Sequence, residues 1–365
     1  MSNAAPKIYK KPTITDVALH ANVSKSAVSH YINGRVNICS KETGIRISRA
    51  IEELNFVPAR SILHQQARAT QTIGVCVALP PHDKSDFAYT HLHDYWSGLG
   101  SVTDEFDYRL LHYPSTVRDS YNCAAFLDGS IDGLLLSANM GDQRFETLAK
   151  AGLPTVATAR WSGLPEPVGS VWSDDVSAID LAMNHLWKLG HRRIAHLANA
   201  EVSVMDTTLQ IYSVNDASII RRERYESWLS EKSANPWKLV VPCPGWDPLS
   251  FEQAKRALTS LLKRPDPASA VVCANDAIAS SLLQAANVLG IEIPKSLSVV
   301  GIDNNVNASL SNPPLTSVEL PFFEIGRSSL ILLQRMMTGM PTAQRRISVP
   351  VTKLVVRSST CPLDQ

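Results

Sequence analysis

The sequence predicts an all-helical head with a helix-turn-helix motif, followed by a larger α/β body built on doubly wound parallel sheets. Three observations lead to this fold class. Residues 13–33, TITDVALHANVSKSAVSHYIN, place two short helical patterns around a polar break. After residue 70, short apolar runs alternate with longer helical patterns. Residues 1–70 hold ten Lys and Arg against four Asp and Glu, whereas the rest of the chain holds 25 against 30.

The first helix of the head is predicted over Ile14–Ala21. Thr13 and Asp16 have the spacing of a capping box, in which each residue hydrogen-bonds the backbone of the other. Val17 and Ala21 form one apolar face, as expected for a short amphipathic helix.

The second helix follows a tight turn. Asn22 tolerates the left-handed backbone conformation that such a turn requires. Ser24 can cap the next helix, whose inner face would hold Val28 and Ile32. Two short helices joined in this way have helix-turn-helix geometry.

A third helix is predicted over Lys41–Leu54, with Ser40 as its cap. Ile47, Ile51 and Leu54 share one face and would close a small core. A generic three-helix fragment of a larger core is the alternative, but the caps, the turn residue and the basic charge all favour a helix-turn-helix head. The charge suggests a polyanion as partner, although a short basic terminus can also be a solvated tail.

The sequence pattern of the body predicts alternating strands and helices. The apolar runs are TIGVCVAL, IDGLLLS, LPTVATA, RIAHLA, SAVVCA and LSVVGID, and helical patterns such as Asp175–Leu189 and Ala277–Leu289 separate some of them. Fully apolar runs between helices are typical of parallel strands that are covered on both faces. The pattern therefore predicts a doubly wound α/β architecture, and no internal repeat interrupts it.

Composition excludes several classes of protein. With 365 residues, 44% of them hydrophobic, the chain can bury a large core and is expected to form two or three domains. The N-terminal residues lack the apolar core of a signal peptide, and no window approaches 18 apolar residues, so we expect a cytoplasmic protein. The six cysteines form no C-x-x-C pair, which favours reduced thiols over disulfides or a zinc site.

Motifs of catalysis are missing from the sequence. It contains no G-x-G-x-x-G, Walker, G-x-S-x-G or H-E-x-x-H pattern, so we expect neither catalytic residues nor a cofactor. His91, His93 and Asp94 in HLHD suggest a metal site, but histidines two positions apart on a helix do not face each other. The GHRR cluster at His191 precedes a predicted strand and is interpreted as a structural turn.

The head and five later segments together resemble one family. TITDVALHANVSKSAVSHYIN followed by SKETGIRISRAIEELNFVP resembles the DNA-binding head of the lactose/galactose repressor (LacI/GalR) family. LWKLGHRRIAHLA, ASAVVCANDAIA, GIEIPKSLSVVGIDNN, PPLTSVELP and LVVRSST resemble segments of the same family in the expected order. The resemblance spans residues 13–360.

The resemblance implies a sequence-specific DNA-binding transcription regulator, a repressor. A single small head makes too few contacts for useful specificity, so we expect a homodimer on a pseudopalindromic double-stranded DNA operator. The resemblance also implies a body of two lobes, like that of periplasmic sugar-binding proteins, with a sugar or sugar-like effector between them. We expect the chain to cross between the lobes near Ser173, Leu320 and Arg346. The expected divisions are 1–58 for the head, 59–71 for the hinge and 72–365 for the effector-binding and dimerisation domain, with lobe one at about 72–172 and 321–345 and lobe two at about 173–320 and 346–357.

The second helix supplies the predicted base contacts. A recognition helix presents its N-terminal residues to the major groove, and the resemblance implies the same positions. The expected base contacts are Lys25, Ser26 and His30, and the expected phosphate contacts are Thr13, Ser24 and Ser29. Lys can donate to guanine, whereas His30 stands where the family usually has Arg. Each of these side chains could instead simply face solvent.

The hinge departs most from the family. In the family this linker forms a short helix on the operator, and paired leucines wedge into the central minor-groove step. Gln65 occupies the position of that leucine here, with Leu63 two residues away and Arg60 in the same segment. A polar side chain unstacks bases less readily, so we expect a smaller operator bend. A flexible tether is the alternative.

The resemblance carries effector-binding roles to Arg221 and Asp303, with Asn275 as a weaker candidate. An Arg fork suits vicinal hydroxyls or a carboxylate, and an Asp at the end of a parallel strand lies where open sheets bind ligands. A buried salt bridge between Arg221 and Asp303 is the alternative. Aromatic walls of the ligand site could come from Trp246, Phe87 and Trp161, which could equally be local packing.

Three departures leave the effector's identity open. Ala159 stands where the family has an aspartate, Arg224 stands where it has a glycine, and residues 200–220 are longer than the family's loop. Two other functions fit the sequence less well. A periplasmic-type binding protein does not account for the basic head, and a sugar-modifying enzyme would need a catalytic constellation.

Overall fold

The structure is a computed structural model that describes residues 13–32, 40–54, 69–77, 91–114, 123–137, 142–158, 163–199, 216–243 and 248–363. It divides into two compact units, residues 1–70 with 128–131, and residues 71–127 with 132–365. We call the described residues 13–54 the head, and those from 71 onward the body.

The head consists of α1 (Ile14–His20), α2 (Lys25–Ile32) and α3 (Lys41–Glu53). The capping box is confirmed, because the Thr13 hydroxyl accepts the Asp16 backbone N–H while the Asp16 carboxylate accepts that of Thr13. Asn22 has a φ of 52°, as predicted for the turn between α1 and α2. The helix-turn-helix prediction is therefore confirmed.

One small apolar core holds the three helices together. Val17, Val28 and Ile47, one from each helix, are fully buried. Ile32, Ile51 and Leu54 pack against this core, as their spacing predicted. Gly44 lets α3 approach α2, since a Cβ there would lie 3.3 Å from the Tyr31 ring. The head thus has its own hydrophobic core.

The first sheet of the body has six parallel strands in the order β11-β5-β4-β3-β1-β2. The strands are β1 (Thr72–Val77), β2 (Arg109–Pro114), β3 (Gly133–Leu136), β4 (Thr155–Ala157), β5 (Gly169–Ser173) and β11 (Arg346–Val349). Helices α4 (His91–Phe106), α5 (Arg144–Ala151) and α11 (Phe322–Met337) belong to this lobe. The strand order confirms a doubly wound sheet.

The second sheet has the order β12-β10-β9-β8-β6-β7 and is parallel except for β12. Its strands are β6 (Ile194–Asn199), β7 (Val240–Cys243), β8 (Ala270–Cys273), β9 (Ser298–Asp303), β10 (Thr316–Glu319) and β12 (Lys353–Val355). Its helices are α6 (Asp175–Lys188), α7 (Asp216–Lys232), α8 (Phe251–Leu262), α9 (Asp276–Val288) and α10 (Val306–Leu310). The body therefore has two lobes, each built on one sheet.

The chain passes between the sheets three times. It leaves β5 at Ser173 and enters α6, and it leaves β10 at Glu319 and enters α11. The third crossing lies at residues 350–352, between β11 and β12. Because β5 and β10 both end at a crossing, the carboxyl edge of each sheet faces the other lobe.

The expected third crossing, near Arg346, was wrong by about four residues. Residues 346–349 were expected in lobe two, but they form β11 and pair in parallel with β5 of the first sheet. The Arg346 guanidinium also donates to the carbonyls of Val168 and Leu164, which lie just before β5. This run is short and alternates in exposure, so it lacks the apolar signature of the central strands.

Two helices of the first lobe touch backbone to backbone. A Cβ on Gly98 of α4 would lie 2.0 Å from the Phe323 carbonyl oxygen, and one on Gly326 of α11 would lie 2.1 Å from the Tyr95 carbonyl oxygen. Neither distance is possible for a real side chain, so both positions require glycine. This contact fixes α11 on α4 directly after the second crossing.

Candidate nucleic-acid interface and ligand site

Two of the three predicted base contacts lie at the exposed start of α2. Lys25 and Ser26 are exposed in the first turn, His30 in the last turn is partly buried, and Val28 turns into the core. The Ser24 hydroxyl accepts the backbone N–H of Ala27 at 3.1 Å and lies 2.9 Å from the Ser26 hydroxyl. The N-terminal residues of α2 therefore face solvent in a capped, ordered turn.

Two of the three predicted phosphate contacts lie at the starts of α1 and α2. Thr13 and Ser24 are the caps of α1 and α2, and both are exposed. Ser29 lies on α2 and is partly buried. Hydroxyls at helix N-termini suit phosphate oxygens, because the adjacent backbone N–H groups add positive potential.

Several predicted residues lie outside the described residues. These are Arg60, Leu63 and Gln65 of the hinge, and Phe87, Trp161 and Trp246 of the proposed aromatic walls. Ala159 and most of the long segment before Arg221 also lie outside them. The described part of the candidate ligand site consists of strand ends and helix starts of the second lobe.

Arg221 on α7 is buried and held by the start of α6. Its Nε donates to Asp175 Oδ1 at 2.7 Å, and its Nη2 lies 2.7 Å from the same oxygen. Its Nη1 donates to the carbonyl of Ala274 just after β8. Arg221 therefore forms a buried ion pair with Asp175.

Asp276 begins α9 and is fully buried at the carboxyl end of β8. Its carboxylate accepts the Ser317 hydroxyl at 2.6 Å and the Asn305 backbone N–H at 2.9 Å. Burial raises its pKa to about 6, although those two hydrogen bonds oppose the shift. Gly301 makes room for this carboxylate, since a Cβ there would lie 2.1 Å from Asp276 Oδ1.

Asp303 ends β9 beside Asp276 in a strained backbone conformation. Its φ is 129° and that of Asn304 is 52°, in the region that favours glycine. Burial, with the neighbouring Asp276 charge, raises the pKa of Asp303 well above its usual range, while Arg221 opposes the rise. Residues are held in such conformations mostly where the surrounding structure demands it, often at binding sites.

Asn275 lies at the same edge but serves the fold. Its side-chain oxygen accepts the Ile278 backbone N–H at 2.8 Å and caps α9. The amide oxygen is thus used by the helix. The structure therefore brings Arg221, Asn275 and Asp303 to one edge of the second sheet, and it adds Asp175 and Asp276 to them.

Asp175 and Asp276 were not singled out from the sequence. Both occur where an apolar run ends and a helical pattern begins, in VWSDD and VVCAND, and that position was the available signal. Phe322 was also missed. It follows the second crossing and packs against the cores of both lobes.

The other sequence motifs have structural settings. His191 is buried, with Nδ1 3.0 Å from the Ser269 hydroxyl and Nε2 3.0 Å from the Cys361 carbonyl, so it ties the C-terminal segment to the second lobe. His93 and Asp94 on α4 are exposed. Within the described residues no three metal-binding side chains come together. None of the helices described there is long and apolar enough to span a bilayer.

Known proteins resemble this chain along nearly its whole length. A family model described as bacterial regulatory proteins, lacI family, matches residues 13–59, and one described as a periplasmic binding protein-like domain matches residues 183–360. The HTH-type transcriptional regulator CelR of Thermobifida fusca is 30% identical over 355 residues, which cover 96% of this chain and 98% of CelR.

Two further comparisons agree with these matches. The ribose operon repressor of Halalkalibacterium halodurans is 27% identical over 359 residues, which cover 95% of this chain and 97% of that repressor. A solved complex of the transcriptional regulator CelR with cellobiose is 28% identical to this chain, with a TM-score of 0.66. The match covers 96% of this chain and all of that one.

Proposed function

The chain belongs to the lacI family of bacterial regulatory proteins, and we propose that this DNA-binding transcriptional regulator is a repressor whose operator affinity is set by a sugar or sugar-like effector. The observation that carries the DNA-binding part is the capped N-terminal turn of α2, which presents Lys25 and Ser26 to solvent while Val28 anchors the helix. A helix held in this way can enter the major groove with those side chains leading.

Two copies of the chain bind together in this proposal. One small head makes too few base contacts for useful specificity, so the working form is a homodimer with two heads. Two-fold symmetry then requires an operator with two inverted half-sites. No catalytic role enters the proposal, and the relatives are named as regulators.

The effector belongs at the carboxyl edge of the second sheet. Open α/β sheets bind ligands beyond the carboxyl ends of their strands, and Asp303, Asp276 and Arg221 gather there. The crossings after β5 and β10 bring this edge toward the first lobe. The cellobiose of CelR and the ribose in the name of the second relative support a sugar as the class of ligand.

The switch is a change in the relative orientation of the lobes. A ligand shifts such an equilibrium only by its different affinity for the two orientations, typically by 1–3 kcal/mol. Phe322 packs against the cores of both lobes at the second crossing, so a movement of this side chain alters the packing of both lobes. The altered spacing of the paired heads then changes how well they reach two half-sites.

A footprint on DNA selected from a random pool tests the proposal. We expect the protein to protect two inverted half-sites. At the same protein concentration, a saturating effector should remove this protection if it is an inducer and increase the protection if it is a corepressor. The effector is found first by thermal shift, because a ligand at 100 times its Kd stabilises the protein by about 2.7 kcal/mol. Selection of a single unpaired site, or a ligand that binds without any change in the footprint, would contradict the proposal.

A further inference from the structure

Two of the three crossings between the lobes lie side by side where they meet the second lobe. Glu319 is the last residue of β10 before the second crossing, and Lys353 is the first residue of β12 after the third. The two residues are directly opposite each other in the antiparallel pair of β10 and β12. Because β12 has only three residues, this position is the end of a short ladder, where strands separate most readily.

An ion pair closes that end of the ladder. The Lys353 ammonium lies 3.0 Å from both carboxylate oxygens of Glu319. The Lys353 and Glu319 side chains are 61% and 38% exposed, so water and salt screen the pair and its effect on global stability is small. Opposite charges that face each other across two strands favour the pairing of those strands. The ion pair therefore acts locally, on how far β12 stays paired with β10 toward the first lobe.

The same carboxylate is connected to the end of β9. Glu319 Oε2 accepts the side-chain amide of Asn304 at 2.7 Å. Asn304 Oδ1 accepts the Arg357 guanidinium at 2.7 Å, and the Asn304 backbone N–H donates to the Ser317 hydroxyl at 3.0 Å. Asn304 directly follows Asp303 and has a φ of 52°, in the left-handed region. One side chain thus joins the strained end of β9 to β10 and to the segment after β12.

The first and third crossings are also joined, but through the backbone. The Asp174 N–H, between β5 and α6, donates to the Val349 carbonyl at 2.9 Å. Val349 packs in the core of the first lobe, and Val351, two residues later, packs in the core of the second. Side-chain charge therefore enters the connection of the crossings at Glu319 and Lys353, where the ladder between β10 and β12 ends.

We propose that Asn304, Glu319 and Lys353 form a clamp that keeps the second and third crossings together. Through this clamp, the orientation of the lobes depends on the backbone conformation at the end of β9. While Asn304 is left-handed, its amide holds the Glu319 carboxylate opposite Lys353. A change of the backbone at Asp303 withdraws the amide, and the last pair of the ladder opens. The role in regulation rests on the proposed function, because it connects a candidate effector-binding residue with the crossings.

Hydrogen exchange of the full-length protein, followed by mass spectrometry, tests the clamp without effector or DNA. Asn304→Gly is the main variant, because glycine accepts the left-handed backbone and removes only the amide. We expect the backbone amides within residues 320–324 and 351–355 to exchange about fivefold faster than in wild type, since an exposed ion pair is lost from the end of a ladder. If Asn304 only accommodated the left-handed turn, exchange in Asn304→Gly would be unchanged or slower, and the clamp would be overturned.

A double-mutant cycle tests the ion pair itself. Glu319→Gln and Lys353→Met should each speed exchange in the same two segments, and the double variant should exchange no faster than either one, because both remove the same pair. The matched control is Glu292→Gln, which breaks an exposed ion pair with Lys295 on the loop between α9 and β9, at the other edge of the sheet. This control should leave exchange at the crossings unchanged. Independent, additive effects of Glu319→Gln and Lys353→Met would overturn the pairing.

Operator affinity of the same variants separates the clamp from the proposed function. A looser clamp lets the lobes adopt more orientations, so Asn304→Gly should weaken binding to DNA selected from a random pool by about fivefold. Faster exchange with unchanged operator affinity would contradict the switch by lobe orientation and would leave the clamp standing. Unchanged exchange overturns the clamp, whatever the effect on DNA binding.

Discussion

Lys25 stands at the start of α2, exposed and one residue after the Ser24 cap. Lys25→Ala should weaken binding to the selected operator by roughly 1–3 kcal/mol and relax preference at one base pair, since a base contact is lost. Gel-shift titrations on the operator and on random DNA measure both effects. The control is Lys41→Ala, which removes an exposed lysine from the start of α3. Loss of an exposed positive charge lowers affinity for any DNA, so this variant should weaken binding to both DNAs alike. Equal losses on both DNAs for Lys25→Ala would remove its base-contact role.

Asp303 supplies acceptors to the proposed ligand, so Asp303→Asn should abolish the effector response while operator binding stays near normal. The substitution keeps the shape of the side chain but replaces one acceptor oxygen with an NH2 group that cannot accept. Burial raises the pKa of Asp303 well above its usual range, so a neutral amide is compatible with the same surroundings. Operator affinity with and without the effector gives the result, alongside the Tm. A normal response to ligand in this variant would exclude Asp303 from the site.

Arg221→Ala has a different expected outcome, because the residue is part of a buried ion pair. The variant leaves Asp175 buried without its charged partner, which typically destabilises a protein by about 3–5 kcal/mol. We therefore expect a lower denaturation midpoint of the body, with the ligand response lost as a consequence. Urea unfolding of both proteins checks this, and an unchanged midpoint would show that water or another group compensates Asp175.

Residue-level predictions from the sequence succeeded where the partners are close in the chain. The Thr13–Asp16 box, the left-handed Asn22 and the Ser24 cap all depend on neighbours within three residues. The partner of Arg221 lies 46 residues away, and only the folded sheet brings α6 beside α7. A pairing of this kind has no local signature, so the sequence could suggest Arg221 as a candidate ligand-binding residue but could not show that Arg221 pairs with Asp175.

At the scale of elements, the contact between α4 and α11 depends on two glycines. Gly98→Ala would place a Cβ 2.0 Å from a backbone oxygen of the other helix, so the helices must separate. Overpacking of this kind typically costs about 1–3 kcal/mol. Gly100→Ala on the same helix is the matched control, because its Cβ would meet nothing within 4 Å. Gly100→Ala should stabilise the helix by roughly 0.5–1 kcal/mol, through its better helix propensity.

Urea unfolding of both glycine variants separates packing from propensity. The two substitutions should change the free energy of unfolding in opposite directions. Helix propensity alone cannot explain this difference, because Gly98 and Gly100 both lie in α4. Equal stabilisation by both substitutions would show that the two helices are not in contact at Gly98. The strands themselves were more predictable than these contacts, because apolar runs mark buried central strands, whereas β11 has an exposed, alternating pattern that resembles a loop.

For the whole molecule, stability should depend on pH through buried His196. The ring lies on β6, its Nδ1 is 2.9 Å from the Val272 carbonyl, and burial lowers its pKa to about 4. Between about pH 6.5 and pH 4 the unfolded state binds more protons at this position, so the free energy of unfolding falls as pH falls. From pH 7 to pH 5 this one group should remove about 2 kcal/mol of stability.

His196→Asn isolates that contribution, because the amide can still donate to Val272 but does not titrate. Wild type should lose about 2 kcal/mol more than the variant between pH 7 and pH 5, measured by urea unfolding at each pH. Asp276 has the opposite effect on the pH dependence of stability, because its raised pKa lets the folded state bind more protons than the unfolded state. This contribution is the same in both proteins and does not affect their difference. An equal pH dependence in the two proteins would contradict a buried neutral His196.

The three crossings between the lobes also bear on how the chain is made. The first lobe receives α11 and β11 only after all of the second sheet except β12 has been translated, and α11 supplies Leu330, Leu332 and Leu333 to the core of the first lobe. A ribosome adds about 5–20 residues per second, so the half-built first sheet waits roughly 10–30 s for that helix. During synthesis its apolar face is open to other nascent chains. The lobe whose sequence begins first is therefore completed only near the end of synthesis, and it is the part of the protein for which a chaperone at the ribosome matters most.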